Sequence, residues 1–315
     1  MQQQLAPPAG SEWRLWIERI LLFLGVAQII AGIFFFFAYN WDDLSRWQKL
    51  GITQGFVVLS AVGARFAGLD SLIGKLLLLT AGALVGATFA VYGQIYQTGA
   101  DAFELFANWA AVILGWVLIA RFAAFWILWA LIVNIAHALY LDTVTDLVTV
   151  EQTTLLGLLN AGFLVLHEVA KPRFAWLADP WSRRVVMAAC LLLLATAAAN
   201  FIDDIALHRW QEEAVTPLHS LAMPAFLVAA LLSYGWSRGP GRDLIGLFLV
   251  VLAVSGVTWY AALRTIDELL DWEDSDLLVM AAITVVISGL AGWWLHRSWL
   301  LLEGAEKTEA GRNDA

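Results

Sequence analysis

Apolar runs of about 17–24 residues recur along the chain, separated by short polar stretches. A run of that length is what a helix needs to cross a bilayer. Ten can be placed. They begin near Ile17, Leu50, Ile73, Phe103, Phe122, Thr154, Arg184, Ser220, Leu244 and Asp276. They end near Tyr39, Phe66, Gln94, Ala120, Tyr140, Val169, Asn200, Trp236, Leu263 and His296. Backbone polar groups in lipid must be satisfied within the segment, so each run predicts an α-helix. The expected fold is all-α, a polytopic transmembrane bundle of about ten spans.

Composition points the same way. Of 315 residues, 61% are apolar and 14% charged, with 17 Trp and 17 Phe. A soluble domain carries far more charge. The net charge of -9 therefore belongs to the loops. The first apolar run follows Arg14 and Arg19 and has no A-x-A-like cleavage site behind it, so it reads as a retained span. The lone Cys190 lies in an apolar run and reads as a small hydrophobe.

Charge then sets an orientation. Fourteen of the 18 Lys and Arg residues fall at one set of helix ends if the spans alternate, leaving Arg46, Lys49, Arg209 and Arg264 at the other. That bias predicts cytoplasmic N- and C-termini. Seventeen of the 27 acids fall on the opposite, outer side, among them Glu151, Asp203 and Asp204, and read mostly as solvated loop tips. Trp residues at both interfaces form an aromatic belt. Gly51 with Gly55, and Gly82 with Gly86, make small-xxx-small faces on which helices can approach closely. The organisation expected is a cytoplasmic segment 1–16, a five-span domain 17–145, a five-span domain 146–298, and a disordered cytoplasmic tail 299–315.

Polar side chains gather at one level of the first five spans. Asn40, Trp41 and Asp42 follow span one; Tyr92, Gln94, Tyr96 and Gln97 end span three. A Thr-Gly-Ala turn with Gly99 as its flexible position leads into span four. There Asp101, Glu104 and Asn108, spaced i, i+3, i+7, share one helical face. Asn134, His137 and Tyr140 lie towards the outer end of span five. Amides and an imidazole at this depth are costly unless paired or wetted. Two readings follow. One is an outward pocket for a small polar or zwitterionic ligand or a lipid headgroup, in which Glu104 and Asp101 could hold a cation and His137 could change charge near neutral pH. The other is a hydrogen-bonded latch between helix ends. Elsewhere, His167-Glu168 reads as a salt-bridged cap, and His208 and His219 read as solvated.

No P-loop, H-E-x-x-H or G-x-S-x-G is present, and no spacing supports a metal centre. No cofactor is expected. No basic patch with interleaved aromatics points to nucleic acid. The segments AYNWDDLSRWQK (38–49) and YGQIYQTGADAFELFANW (92–109) resemble the signature segments of an uncharacterised bacterial family of predicted polytopic membrane proteins, domain of unknown function twenty-one fifty-seven. The resemblance covers roughly residues 10–145, and its pattern falls on Asn40, Trp41, Gln94, Tyr96, Gln97, Gly99, Asp101 and Trp109. The family brings no established activity, so the resemblance implies a bacterial inner-membrane location and little else. The function expected is ligand binding or transport at the polar site. The alternatives are a structural, sensory or assembly role with the cluster as a latch, and, ranked last for want of a nucleophile, an intramembrane enzyme. Partners expected are the bilayer and a small polar ligand.

Overall fold

Ser45 starts the first fully described helix with a reciprocal cap. Its hydroxyl accepts from the Gln48 amide at 3.4 Å, and the Gln48 side-chain oxygen accepts from the Ser45 amide at 2.9 Å. Two of the donors that a helix start leaves unpaired are thereby satisfied. The structure is a computed structural model. It describes residues 43–97, 99–206, 216–239, 243–269 and 276–313, together with Ile17, Leu21, Leu24, Gly25, Gln28, Gly32 and Trp41.

Among these residues the elements are α1 (Arg46–Ala67), α2 (Leu72–Tyr96), α3 (Ala102–Ala120), α4 (Ala123–Val144), α5 (Thr149–Ala170), a 3-10 turn (Ala175–Leu177), α6 (Pro180–Ala206), a short α7 (Pro217–Ser220), α8 (Ala222–Arg238), α9 (Leu244–Leu269) and α10 (Asp276–Asn313). No strand occurs among the described residues. Nine spans there are long and apolar enough to cross a membrane, α7 and α8 counting as one. These match nine of the ten expected runs to within a few residues. Most of the first run lies outside the described residues; Ile17, Leu21, Leu24, Gly25, Gln28 and Gly32 within it are helical.

Two differences stand out. The last helix continues to Asn313, through the segment whose composition reads as a disordered tail. Its Glu, Ala and Lys residues are good helix formers, so propensity carries the helix past the apolar stretch. The glycine faces also behave differently from expectation. Gly82 and Gly86 do not bring two backbones together; they seat aromatic rings. A Cβ at Gly82 would lie 2.4 Å from the Phe125 ring, and one at Gly86 would lie 2.5 Å from Trp109. Trp109 Nε1 donates to the Gly82 carbonyl at 2.7 Å, and Trp129 Nε1 donates to the Ala110 carbonyl at 2.9 Å. Each indole thus satisfies its own buried donor while stitching α3 to α2 and α4 to α3. Gly51 and Gly55 have nothing within 4 Å of an added Cβ among the described residues.

The largest core cluster runs from Ala64 through Ile113, Phe125, Trp126 and Phe163 to Val186. It crosses residue 145, so apolar packing is continuous from α1–α4 into α5 and α6. Two further clusters join α6 to α8 and α9 through Cys190, Leu194, Phe226 and Val257, and through Met187, Leu191, Ala230 and Val250. Helix α6 is the hub, the most buried of the described spans, whereas α10 contributes no residue to these core clusters. Large exposed apolar residues such as Leu59, Phe66, Leu192 and Leu232 form the surface a bilayer covers.

Candidate functional site

The α2–α3 turn is built from two left-handed residues. Gln97 caps α2 at φ 45°, its amide donating to the Gly93 carbonyl at 2.9 Å, and Gly99 follows at φ 65°. Only Gly99 adopts that conformation without a Cβ penalty, which is why the turn needs glycine there. The turn leaves Gln94, Tyr96, Gln97, Asp101, Glu104 and Asn108 all exposed. None of their side chains makes a hydrogen bond among the described residues. Tyr96 packs against Tyr92 with ring centroids 4.6 Å apart. Asp101 does sit at the start of α3 but makes no side-chain cap bond.

The other expected site residues separate into three groups. Asn40 and Asp42 lie outside the described residues. Trp41 is half-buried under the Lys49 ammonium, 5.2 Å from the ring centroid. From α4, Tyr140 reaches the α2–α3 corner, its ring meeting Phe103 edge-on at 5.3 Å. His137 is half-buried one turn deeper. Asn134 is turned away to another partner. It accepts from Asn160 Nδ2 at 2.6 Å and returns a bond to Asn160 Oδ1 at 3.3 Å. Each amide gives its second proton to its own helix, to Ala130 O and Leu156 O, both at 2.8 Å. With four donors used and both acceptors filled, this pair is a closed latch between α4 and α5.

Polar networks also form outside the expected site, at Glu168, read as part of a salt-bridged cap, and at acids and a histidine read as solvated. At the basic end, Arg183 is 4% exposed, donates to Glu168 Oε1 at 2.6 Å and lies 3.7 Å from Asp243 Oδ2. Its guanidinium stands 5.4 Å over the Trp236 ring. Arg184 grips Asp243 with Nε 3.1 Å from both carboxylate oxygens and Nη2 2.8 Å from one. Burial pushes the Asp243 carboxyl up, but the Arg184 hydrogen bonds and the two guanidinium charges outweigh it and hold it below its ordinary value. The Asp243 amide donates to Ser237 O at 2.8 Å, closing the α8–α9 corner. Beside this lock His167 is 1% exposed, with neither ring nitrogen bonded among the described residues.

At the opposite end Glu151 is buried, not solvated. Its carboxylate takes the Val148 amide at 3.3 Å and the Thr216 hydroxyl. His219 is also buried, its Nε2 3.7 Å from Asp204 and its ring against Phe201. Asp203 accepts from Tyr260 at 2.5 Å and pairs with Arg264. His208 lies outside the described residues. The basic-end network alone carries a local hint: Arg183 and Arg184 sit within the first turn of a span, and Glu168 and Asp243 are acids at the basic end. Among the described residues no three His, Cys, Asp or Glu side chains converge as a metal centre.

The family model described as Predicted membrane protein (DUF2157) matches residues 2–126. The match includes the α2–α3 turn and Trp109, and it stops short of Asn134, His137 and Tyr140. No curated protein and no solved structure matches the chain.

Proposed function

We propose that the chain is a multi-pass protein of the bacterial inner membrane, its basic helix ends facing the cytoplasm, that binds a small polar or zwitterionic ligand at the outer ends of α2, α3 and α4. The observation that carries this reading is a contrast in hydrogen bonding. Where polar side chains serve as latches in this bundle, as in Asn134 and Asn160, their bonding capacity is filled from within. At the α2–α3 turn, the side chains of Gln94, Gln97, Asp101, Glu104 and Asn108 make no hydrogen bond among the described residues and are exposed. Amides with a carboxylate pair suit a solute with both donors and acceptors. Transport is the further step of this reading, with the ligand passing from the same site.

The test uses the full chain in nanodiscs. Thermal unfolding is followed with glycine betaine, proline and glutamate, for the wild type, Gln94→Ala and Glu104→Gln. Binding requires that a solute raise Tm in the wild type and lose that effect in a variant. A variant whose Tm falls without any solute would instead identify a latch. Orientation is read separately by a membrane-impermeant maleimide on intact cells, with Asp101→Cys reacting and Arg173→Cys protected; Cys190 is buried and stays silent.

The latch reading has one observation of its own. Asn134, part of the same polar set by sequence, is committed to Asn160 and is not available to a ligand.

A further inference from the structure

Among the described residues the basic end holds more cations than its ion pairs engage. Glu168 and Asp243, the acids that terminate α5 and precede α9, are both taken by Arg183 and Arg184. Lys171 and Arg173 lie in the connector between α5 and α6. No ion pair reaches them among the described residues. The one acid within the connector, Asp179, is exposed and immediately precedes α6, where the helix N-terminus favours a negative charge.

The connector is also built rather than loose. The amides of Arg173 and Phe174 both donate to Ala170 O, at 2.9 and 3.1 Å. The 3-10 turn follows, closed by Leu177 N on Phe174 O at 2.9 Å, and Leu177 is buried in the main core cluster at 4% exposure. That anchor leaves Arg173, Phe174 and Trp181 on the surface, with Phe174 45% and Trp181 40% exposed. The amphipathic indole of Trp181 settles at the level of lipid headgroups, with the Phe174 ring on its apolar side, and basic groups at that level attract anionic lipid.

We propose that the α5–α6 connector is a headgroup site for an anionic phospholipid, with Lys171 and Arg173 facing the phosphate and Phe174 and Trp181 holding the acyl–headgroup boundary. A zwitterionic lipid brings its own cation and gains less from two unpaired basic side chains. The site is distinct from the α2–α3 turn and independent of the ligand reading there.

Native mass spectrometry of the full chain, released from nanodiscs containing equal phosphatidylglycerol and phosphatidylcholine, tests this. The wild type is expected to retain phosphatidylglycerol preferentially. Lys171→Gln with Arg173→Gln should lower that retention about fivefold per charge removed. Arg65→Gln with Lys75→Gln, two basic positions on the α1–α2 corner, should leave it unchanged. Equal retention of both lipids by the wild type overturns the proposal. So does undiminished retention in the connector variant, or an equal loss in the α1–α2 variant.

Discussion

Asn134 and Asn160 hold each other across the α4–α5 contact by two side-chain hydrogen bonds, while each also bonds the carbonyl four residues back on its own helix. The pair joins the two halves of the chain within the bilayer, where an unpaired amide has no water to turn to. Asn160 is 2% exposed and depends on the pairing more than the half-buried Asn134 does.

Removing one partner should therefore hurt more than removing both. Asn134→Leu strands the Asn160 amide and is expected to cost about 1–3 kcal/mol. The double variant with Asn160→Leu should recover part of that loss, since two apolar side chains leave nothing unsatisfied. A double-mutant cycle on unfolding in mild detergent measures it. Additive losses would mean the two amides do not depend on each other.

Gly246 is fixed by its neighbours. A Cβ there would lie 2.5 Å from Ser237 Oγ and 2.9 Å from Asp243 Oδ2. Gly246→Ala should push these groups apart, loosen the Arg184 grip on Asp243, and destabilise by about 1–3 kcal/mol. Ser237 is fully buried and its hydroxyl has no hydrogen bond among the described residues. Ser237→Ala alone should then be nearly neutral, and combined with Gly246→Ala it should restore part of the loss. No restoration would show that the clash is not with the hydroxyl.

The aromatic seats on α2 make an opposite pair of expectations. Gly86→Ala would drive a methyl into the Trp109 ring and displace the indole from the Gly82 carbonyl, lowering Tm by several degrees. Gly55→Ala meets nothing among the described residues and should be neutral or slightly stabilising through helix propensity. Equal effects at the two positions would contradict the seating of Trp109.

The helices were legible because their signal is local. Length and apolarity alone place α3 at Phe103–Ala120, against the observed Ala102–Ala120. The shared face of Asp101, Glu104 and Asn108 was legible for the same reason, since helical spacing decides it. Which charges are buried is a different kind of fact. Arg184 meets Asp243 at a separation of 59 residues, and Glu151 meets Thr216 at 65. A position near a helix end reads as solvated until the neighbouring helix is known. Asn134 shows the same limit: helical spacing groups it with His137, but the helix it faces is α5.

The basic-end lock carries a pH dependence whose sign follows from Asp243. Its carboxyl is held below the ordinary value, so the folded state binds that proton less readily than the unfolded state does. The stabilisation is complete above the unfolded pKa of about 4 and is lost as pH falls through the lower folded value. Asp243→Asn lacks the charge at every pH and serves as the reference. The stability gap between wild type and Asp243→Asn should be constant from neutral pH down to about pH 4, then close as the carboxylate of the wild type protonates. Groups common to both proteins largely cancel in that difference. Unfolding of the two proteins in matched detergent, compared from pH 7 to pH 2, measures it. A gap that widens on acidification, or that stays constant throughout, would show that the Arg183 and Arg184 contacts to Asp243 do not stabilise the charged form.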